Sequence, residues 1–171
     1  MVLKFNNSAN YTHIPFFKKR LLEAIGLILL IISTIIAASI ITFDINDPSF
    51  SYLSDSATNN ILGKYGAYTS DLLIKLFGAS SVLIFLISFA WGLKLFIHKK
   101  ITFFWLRLIF VPITLLSTSI ALNIENIFNI NLEGGGIVGK YTFLYITNFL
   151  QHINFEISQI YISILFFLIA F

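Results

Sequence analysis

No cysteine occurs anywhere in the 171 residues of the sequence. Disulfide bonds, thiolate metal sites and thiol nucleophiles are therefore excluded. The three histidines, His13, His98 and His152, lie too far apart in the sequence to match the spacing of metal ligands. We accordingly predict no catalytic residues, no metal site and no cofactor bound by these residues, so the chain by itself is not expected to be an enzyme.

Charged residues are also scarce, at 11% of the sequence, whereas 57% of the residues are hydrophobic. Soluble domains carry about 25% charged residues. A soluble fold of this size would lack the polar residues needed to cover its apolar surface, and lipid is the solvent that suits such a chain. The composition therefore indicates an integral membrane protein.

Long uncharged apolar runs dominate the sequence. A helix that crosses a bilayer needs about 20 such residues, and runs of this kind occupy 24–43, 76–93 and 108–124. A fourth run, 157–171, is shorter and stops with the sequence; because a carboxylate in hydrocarbon is costly, we expect a fragment of a longer protein. The sequence predicts an all-α membrane protein, a four-span transmembrane helical bundle with the fourth span truncated, and spans at about 21–43, 74–97, 103–124 and 155–171.

The first apolar run could also belong to a signal peptide, since Lys18, Lys19 and Arg20 precede it. The run continues to Phe43, which makes it longer than the apolar region of about 7–15 residues that signal peptides carry. We therefore predict an uncleaved membrane anchor.

The distribution of charge predicts the orientation of the spans. Most basic residues lie in the segment 1–20 and around the connection 94–107, whereas most acidic residues lie in 44–71 and 125–156. Cytoplasmic flanks of membrane spans collect Lys and Arg. We predict a multi-pass protein with a cytoplasmic N-terminal segment (1–20), a membrane domain (21–171) and two outward-facing loops. The net charge of +3 is thus a sign of topology and does not imply contact with DNA.

One glycine-rich stretch, from Gly134 to Lys140, matches the spacing G-x-x-x-x-G-K of a phosphate-binding loop. Such a loop requires Ser or Thr after the Lys to hold magnesium, and this sequence has Tyr141 there. No strand pattern precedes the stretch, and the predicted topology places it away from ATP. We predict instead a glycine turn that leads into a short amphipathic helix, 140–150, near the outer membrane surface.

Two weaker patterns concern the packing of the spans. Small residues such as Gly26, Ser33, Ser88 and Gly92 occur at helical spacing in the first two spans, and such residues allow helices to approach closely in lipid. The five residues 61–65 (ILGKY) resemble 137–141 (IVGKY), and each set precedes an even-numbered span. The repetition predicts two hairpin units of parallel sense.

The loop after the first span carries the most informative motif. Asp47, Pro48 and Ser49 form a turn signal. Gly63 and Gly66 permit close backbone approach before the next helix. The remaining members of the pattern are Asn60, Asp71 and Gly78.

This arrangement resembles the N-terminal four-transmembrane domain of the FtsK/SpoIIIE family of bacterial DNA translocases. Glu23 and Gly26 match a Glu-x-x-Gly common at the start of the first span in that family, and a glycine-rich turn before the last span is matched by Gly134, Gly135 and Gly139. The resemblance covers about residues 20–171. The sequence departs from the family pattern directly before the last span, where Asn148, His152 and Asn154 stand in place of the glycines that are often found there.

The resemblance implies a membrane anchor and septal-targeting domain for a translocase that acts in cell division and chromosome segregation. The implied location is the bacterial inner membrane, enriched at the division septum, and the implied partners are the lipid bilayer and septal proteins. ATP, magnesium, DNA and homo-oligomer formation belong to a motor that these residues do not contain. The alternative is a small standalone membrane protein such as a transporter or channel subunit; the lack of a charge in the middle of any complete span argues against it.

Overall fold

The computed structural model describes residues 15–53, 55, 57–98, 103–123, 134–153 and 159–170. Helices, turns and loops make up these residues, and no strand occurs among them. The α-helices are α1 (Phe16–Ile41), α2 (Gly63–Phe77), α3 (Val82–His98), α4 (Phe104–Ala121), α5 (Gly136–His152) and α6 (Gln159–Ala170), and a 3₁₀ turn (Gly78–Ser81) joins α2 to α3. The prediction of an all-α fold is confirmed.

Three helical segments are long and apolar enough to cross a membrane by length and composition: Phe16–Ile41, Gly63–His98 and Phe104–Ala121. The apolar part of α6, Tyr161–Ala170, is shorter. At 1.5 Å per residue, the 26 residues of α1 extend over about 39 Å, more than the hydrocarbon thickness of about 30 Å. Large apolar side chains such as Ile28, Ile31 and Ile35 are exposed on α1, as a helix surrounded by lipid requires. The chain is a membrane protein.

Helices α1 and α3 form the first tightly packed pair. A Cβ atom added to Gly26 would lie 2.6 Å from the backbone nitrogen of Phe96, and one added to Gly92 would lie 2.9 Å from Cγ of Leu30. Farther along α1, Ser33 Oγ donates a hydrogen bond of 3.1 Å to the carbonyl oxygen of Phe85. Gly26 contacts Phe96 and Gly92, whereas the later residue Ser33 contacts the earlier residue Phe85, so the two helices are antiparallel. The backbones of the two helices approach closely at the two glycines.

Helices α4 and α6 form the second pair. Ile120 of α4 and Ile162 of α6 are buried together with Phe143 of α5. We call residues 16–98 the first unit and residues 104–170 the second unit. Each unit contains an apolar helix, a middle helix and a second apolar helix in the same order. The two hairpin units of parallel sense that the repeated five-residue motif predicts stay a prediction.

Helix α2 is the element that the sequence analysis did not predict. Its 15 residues lie largely within the stretch 44–71, which was interpreted as a loop, because Lys64 and two glycines interrupt its apolar pattern. The helix ends at Phe77, and the next residue, Gly78, has a φ of +60°. The apolar run 76–93 therefore contains a break, with α3 beginning at Val82.

Candidate functional site

Most residues of the sequence motif gather at one end of the bundle. This end, where α1 and α4 finish and α2 and α5 begin, is called the loop-side end. Two groups of contacts occur there: a polar cap, made by the loop 42–62 with α1 and α2, and a junction, where the 3₁₀ turn meets α4 and α5.

Asp47 is the centre of the polar cap. Its side chain is only 2% exposed, and its two carboxylate oxygens accept hydrogen bonds from the backbone N–H groups of Asn59 (2.7 Å) and Asn60 (2.9 Å). Charge-assisted hydrogen bonds of this kind are strong. Pro48 is buried beside it, and the backbone N–H of Ser49 donates to the carbonyl of Tyr52 at 2.9 Å. These contacts close the loop 47–60 on itself.

Asn60 joins this loop to the end of α1. Its Nδ2 donates to the carbonyl oxygens of Ser39 (3.0 Å) and Thr42 (3.1 Å), and its Oδ1 accepts from the backbone N–H of Leu62 at 3.1 Å. The last carbonyls of a helix have no partner within the helix, and Asn60 supplies one. A Cβ atom on Gly66 would overlap Oδ1 of Asn60, so a glycine is needed there for this side chain to fit.

Asp71 fastens α2 to the same loop. Its Oδ2 accepts hydrogen bonds from the backbone N–H (3.1 Å) and the hydroxyl (2.7 Å) of Ser51. Lys75 Nζ lies 3.9 Å from its other oxygen. Next to this contact, the rings of Phe50 and Tyr68 meet edge to face with their centroids 4.8 Å apart. The loop is therefore attached to α2 through Ser51 as well as to the end of α1 through Asn60.

Asp44 completes the polar cap on its exposed side. It accepts hydrogen bonds from the backbone N–H of Asn46 (2.9 Å) and from the side-chain amide of Asn59 (2.9 Å). These two donors, the backbone N–H first, lower the pKa of Asp44 from its ordinary value of 3.8. The ionised form of this carboxylate is thus the one that the loop stabilises.

The junction connects the two units through backbone atoms. The N–H of Ala79 donates to the carbonyl of Gly134 at 3.0 Å, and Ser119 Oγ lies 3.4 Å from the carbonyl of Phe77. Gly136 has a φ of +63°, and a Cβ atom there would lie 2.5 Å from the backbone nitrogen of Gly78. Only residues without a side chain permit this contact.

Gly135 and Gly139 explain the rest of the glycine-rich stretch. A Cβ atom on either residue would overlap the carbonyl oxygen of Ser119. The stretch that spaces its residues like a phosphate-binding loop therefore packs against the end of α4. On that side, the carbonyl oxygen of Ser119 lies directly against Gly135 and Gly139.

Glu23 and Gly26 lie apart from both groups of contacts. Glu23 pairs with Arg20 at 2.7 Å near the start of α1, and Gly26 belongs to the contact between α1 and α3. The structure thus divides the motif residues among three places. Those in the polar cap are Asp47, Pro48, Ser49, Asn60, Gly63, Gly66 and Asp71, and those at the junction are Gly78, Gly134, Gly135 and Gly139.

Four further residues take part in these contacts although no sequence pattern marked them: Ser39, Ser51, Asn59 and Ser119. Ser39 and Ser119 are both fully buried, each lies two residues before the end of its helix, and each is followed by Ile. Gly63 and Gly136 likewise both begin a helix with a φ of +63°. The two units therefore correspond as Ser39 with Ser119 and Gly63 with Gly136. The repeated five-residue motif pairs Gly63 with Gly139 instead, three residues away.

The polar cap and the junction both hold helices in place. In the part of the chain that the structure describes, no group of three or more His, Cys, Asp or Glu side chains could hold a metal ion. The carboxylates of Asp47 and Asp71 accept hydrogen bonds from the loop. The arrangement fixes where α1 ends and where α2 begins.

Comparison with known proteins identifies relatives of the whole membrane region. The family model described as the 4TM region of DNA translocase FtsK/SpoIIIE matches residues 18–171. The DNA translocase FtsK of Rickettsia typhi is 32% identical over 135 residues, which are 79% of this chain and 17% of the relative. That of Rickettsia prowazekii is 31% identical over 141 residues, 82% of this chain and 18% of the relative. That of Brucella suis is 38% identical over 77 residues, 45% of this chain and 9% of the relative.

The chain spans less than a fifth of the length of these curated relatives. No solved structure matches it significantly.

Proposed function

The chain belongs to the FtsK/SpoIIIE family of DNA translocases, whose 4TM region it matches, and from this membership we propose that it anchors a translocase in the membrane and directs it to the division septum. The observation that carries the proposal is the match over residues 18–171. It extends from the start of α1 through α6, so it includes both units and the motif residues at the loop-side end. Family membership favours this role over that of a standalone transporter or channel subunit.

The proposed role separates the anchor from the motor. The relatives are named DNA translocases and are more than five times the length of this chain's matched region. We infer that ATP, magnesium and DNA are bound by a motor outside these residues, and that homo-oligomer formation occurs through that motor. The residues described here would keep the motor close to the membrane.

The proposed topology follows from the charges and from the helix order. The basic residues Lys18, Lys19 and Arg20 flank the start of α1, and Lys94 and Arg107 flank the connection between α3 and α4. We propose that these ends are cytoplasmic in the bacterial inner membrane and that the loop-side end faces outward. Alkaline phosphatase fused after Lys64 should then be active, and the same enzyme fused within 99–102 should be inactive. The reverse pattern would show that the orientation is inverted.

Septal targeting is tested by fluorescence microscopy of dividing cells. A fluorescent protein fused to residues 1–171 should concentrate at midcell. A fusion to an unrelated four-span membrane protein, expressed at the same level, should label the cell periphery evenly. Even labelling by both fusions would remove septal targeting from the function of this region while leaving its role as a membrane anchor.

A further inference from the structure

Helix α2 exposes an aromatic and apolar face away from its protein contacts. Its buried side consists of small and polar residues, Gly66, Ala67, Ser70 and Asp71. On the opposite side Tyr65 is 88% exposed and Leu72 is also exposed, whereas Tyr68, at the edge of this face, contacts Phe50 of the loop. The distribution is the reverse of that in a helix of a soluble protein, which buries its apolar side.

Helix α5 also exposes an aromatic face in the second unit, although its buried side includes a large apolar residue. Gly139 and Phe143 are buried against α4 and α6. Tyr141, Tyr145 and Phe149 follow each other at four-residue spacing, which places them on one stripe of the helix, and all three are exposed. Two helices at the loop-side end therefore present tyrosine-rich faces to their surroundings.

Each aromatic face has a basic edge. Lys64 and Lys75 are exposed on α2. They lie on the edge of the helix next to Asp71, the residue that binds Ser51 of the loop. Tyr65 and Leu72 lie on the other edge, farther from the loop. On α5, Lys140 is exposed beside the aromatic stripe. A helix with basic residues along one edge and aromatic residues along another is typical of the membrane interface.

The position of the two helices next to the spans identifies what covers these faces. Helix α2 continues through only the 3₁₀ turn (Gly78–Ser81) into the span α3, whose residues Leu86 and Phe89 are exposed toward lipid. Phe143 of α5 packs on Ile162 near the start of α6. The face of α2 thus continues along the chain into the span α3, and α5 packs by its buried side beside the start of α6, with its aromatic stripe turned away from the bundle. Tyrosine is favoured at the membrane interface, because its ring is apolar and its hydroxyl is polar.

We propose that α2 and α5 lie in the headgroup layer of the loop-side leaflet and bind phospholipid through their tyrosine faces. We call the two faces together the aromatic collar. The collar holds the loop-side end at a fixed depth, so that the polar cap stands just above the lipid. The inference requires only a membrane protein and does not rest on the proposed role in a translocase.

The test measures the depth of single tryptophans in liposomes. The whole chain carries Trp91→Phe and Trp105→Phe, which remove the native tryptophans, and then either Tyr65→Trp on α2 or Tyr141→Trp on α5. An interfacial face lies about 5–10 Å into the headgroup and acyl boundary. Lipid brominated close to the glycerol backbone should therefore quench both tryptophans about twofold more than lipid brominated at the chain ends, and aqueous iodide should quench them weakly.

Ala57→Trp in the same background is the matched control. Ala57 is exposed in the loop and lies outside the two aromatic faces, so iodide should quench this tryptophan strongly. If the tryptophans at positions 65 and 141 behave like the one at 57, both faces are open to water in a pure lipid membrane and the proposal is overturned; a protein partner would then be the candidate occupant. The two helices test the collar independently, because loss of folding in one variant leaves the other measurable.

Discussion

Asn60 shows how a single side chain can define the end of a membrane helix. Its amide group binds the carbonyl oxygen of Ser39 in α1, that of Thr42 directly after α1, and one N–H group that precedes α2. Ser39 is fully buried. Water cannot easily replace a partner at such a position. The residue therefore stabilises the turn between two helices.

Substitution of Asn60 by Ala should destabilise the protein by about 1–3 kcal/mol, because it leaves buried carbonyl groups without a partner. Asn59→Ala is the control. The Asn59 side chain is exposed and binds Asp44 on the surface, so its loss should cost less than about 0.5 kcal/mol. The difference in the free energy of unfolding is measured by unfolding both variants in detergent and monitoring their tryptophan fluorescence. Equal losses would contradict the role assigned to Asn60.

Gly136 and Gly63 offer a comparison in which backbone strain is the same. Both have a φ of +63°, so alanine at either position adds about 1–2 kcal/mol of left-handed strain. A Cβ atom at Gly63 meets nothing within 4 Å, whereas one at Gly136 meets the backbone of Gly78 and Leu76. Gly136→Ala should therefore destabilise the protein clearly more than Gly63→Ala in the same unfolding assay. A smaller effect at Gly136 would show that the junction adapts to a side chain.

Asp44 should titrate below its ordinary value of 3.8, since the donors around it favour the ionised form. A group with a lowered pKa in the folded state adds stability above its unfolded pKa and loses it as the pH falls through the folded pKa. The bonds to Asn46 and Asn59 should thus persist at neutral pH and break only in acid below that value. An NMR titration of the carboxyl carbon measures the midpoint, and Asn59→Ala should move it upward.

At the scale of the helices, the contact between α1 and α3 depends on Gly26 and Gly92. Both lack a side chain where the backbones approach most closely. Small residues serve this purpose in membranes, where packing replaces the hydrophobic effect as the main force between helices.

Gly26→Leu should therefore separate α1 from α3 and destabilise the protein by about 1–3 kcal/mol, as overpacking does. Ala24→Leu is the control, because Ala24 is exposed on the same helix and its larger side chain would enter lipid. Both variants can be compared by their unfolding midpoints in detergent. Similar midpoints would show that the helices do not need the close contact.

The sequence predicted the apolar helices well, since a run of about 20 uncharged residues has few other stable structures in lipid. It did not reveal α2, because Lys64 and two glycines interrupt the apolar pattern of that helix and its buried side is made of small and polar residues. Nor could it show that Asp47 and Asp71 accept hydrogen bonds from residues 59, 60 and 51. These hydrogen bonds depend on the path of the loop between α1 and α2, and the spacing of residues in the sequence does not predict that path. The sequence motif named residues that the structure places at the loop-side end, but it did not predict their partners.

At the scale of the molecule, packing between the two units is concentrated at the loop-side end. α2 and the 3₁₀ turn contact α4 and α5 there, and the junction bond between Ala79 and Gly134 lies in the same place. Contacts within each unit, between α1 and α3 and between α4 and α6, are the most extensive in the described residues. The junction therefore connects two bodies that are each packed internally.

A chain divided within 99–102 should consequently reassemble from its two parts. Co-expressed in one membrane, the tagged first unit should purify together with the second. Gly136→Leu should weaken this association, because it introduces a large side chain at the junction. Gly26→Leu lies within the first unit and should affect it much less. Failure of the unaltered parts to purify together would show that the covalent connection is required.

The separation of the two units has a consequence for the order in which the protein is made. Translation delivers α1, α2 and α3 to the membrane before α4, and the closest contacts of α1 with α3 need no later residue. Protein domains generally fold in this N-terminal to C-terminal order during synthesis. The first unit can therefore complete its packing while the second is still in the ribosome, and the glycines at 134–136 then dock on a surface that already exists. Assembly in the cell would thus proceed as two successive steps, with the junction closing last.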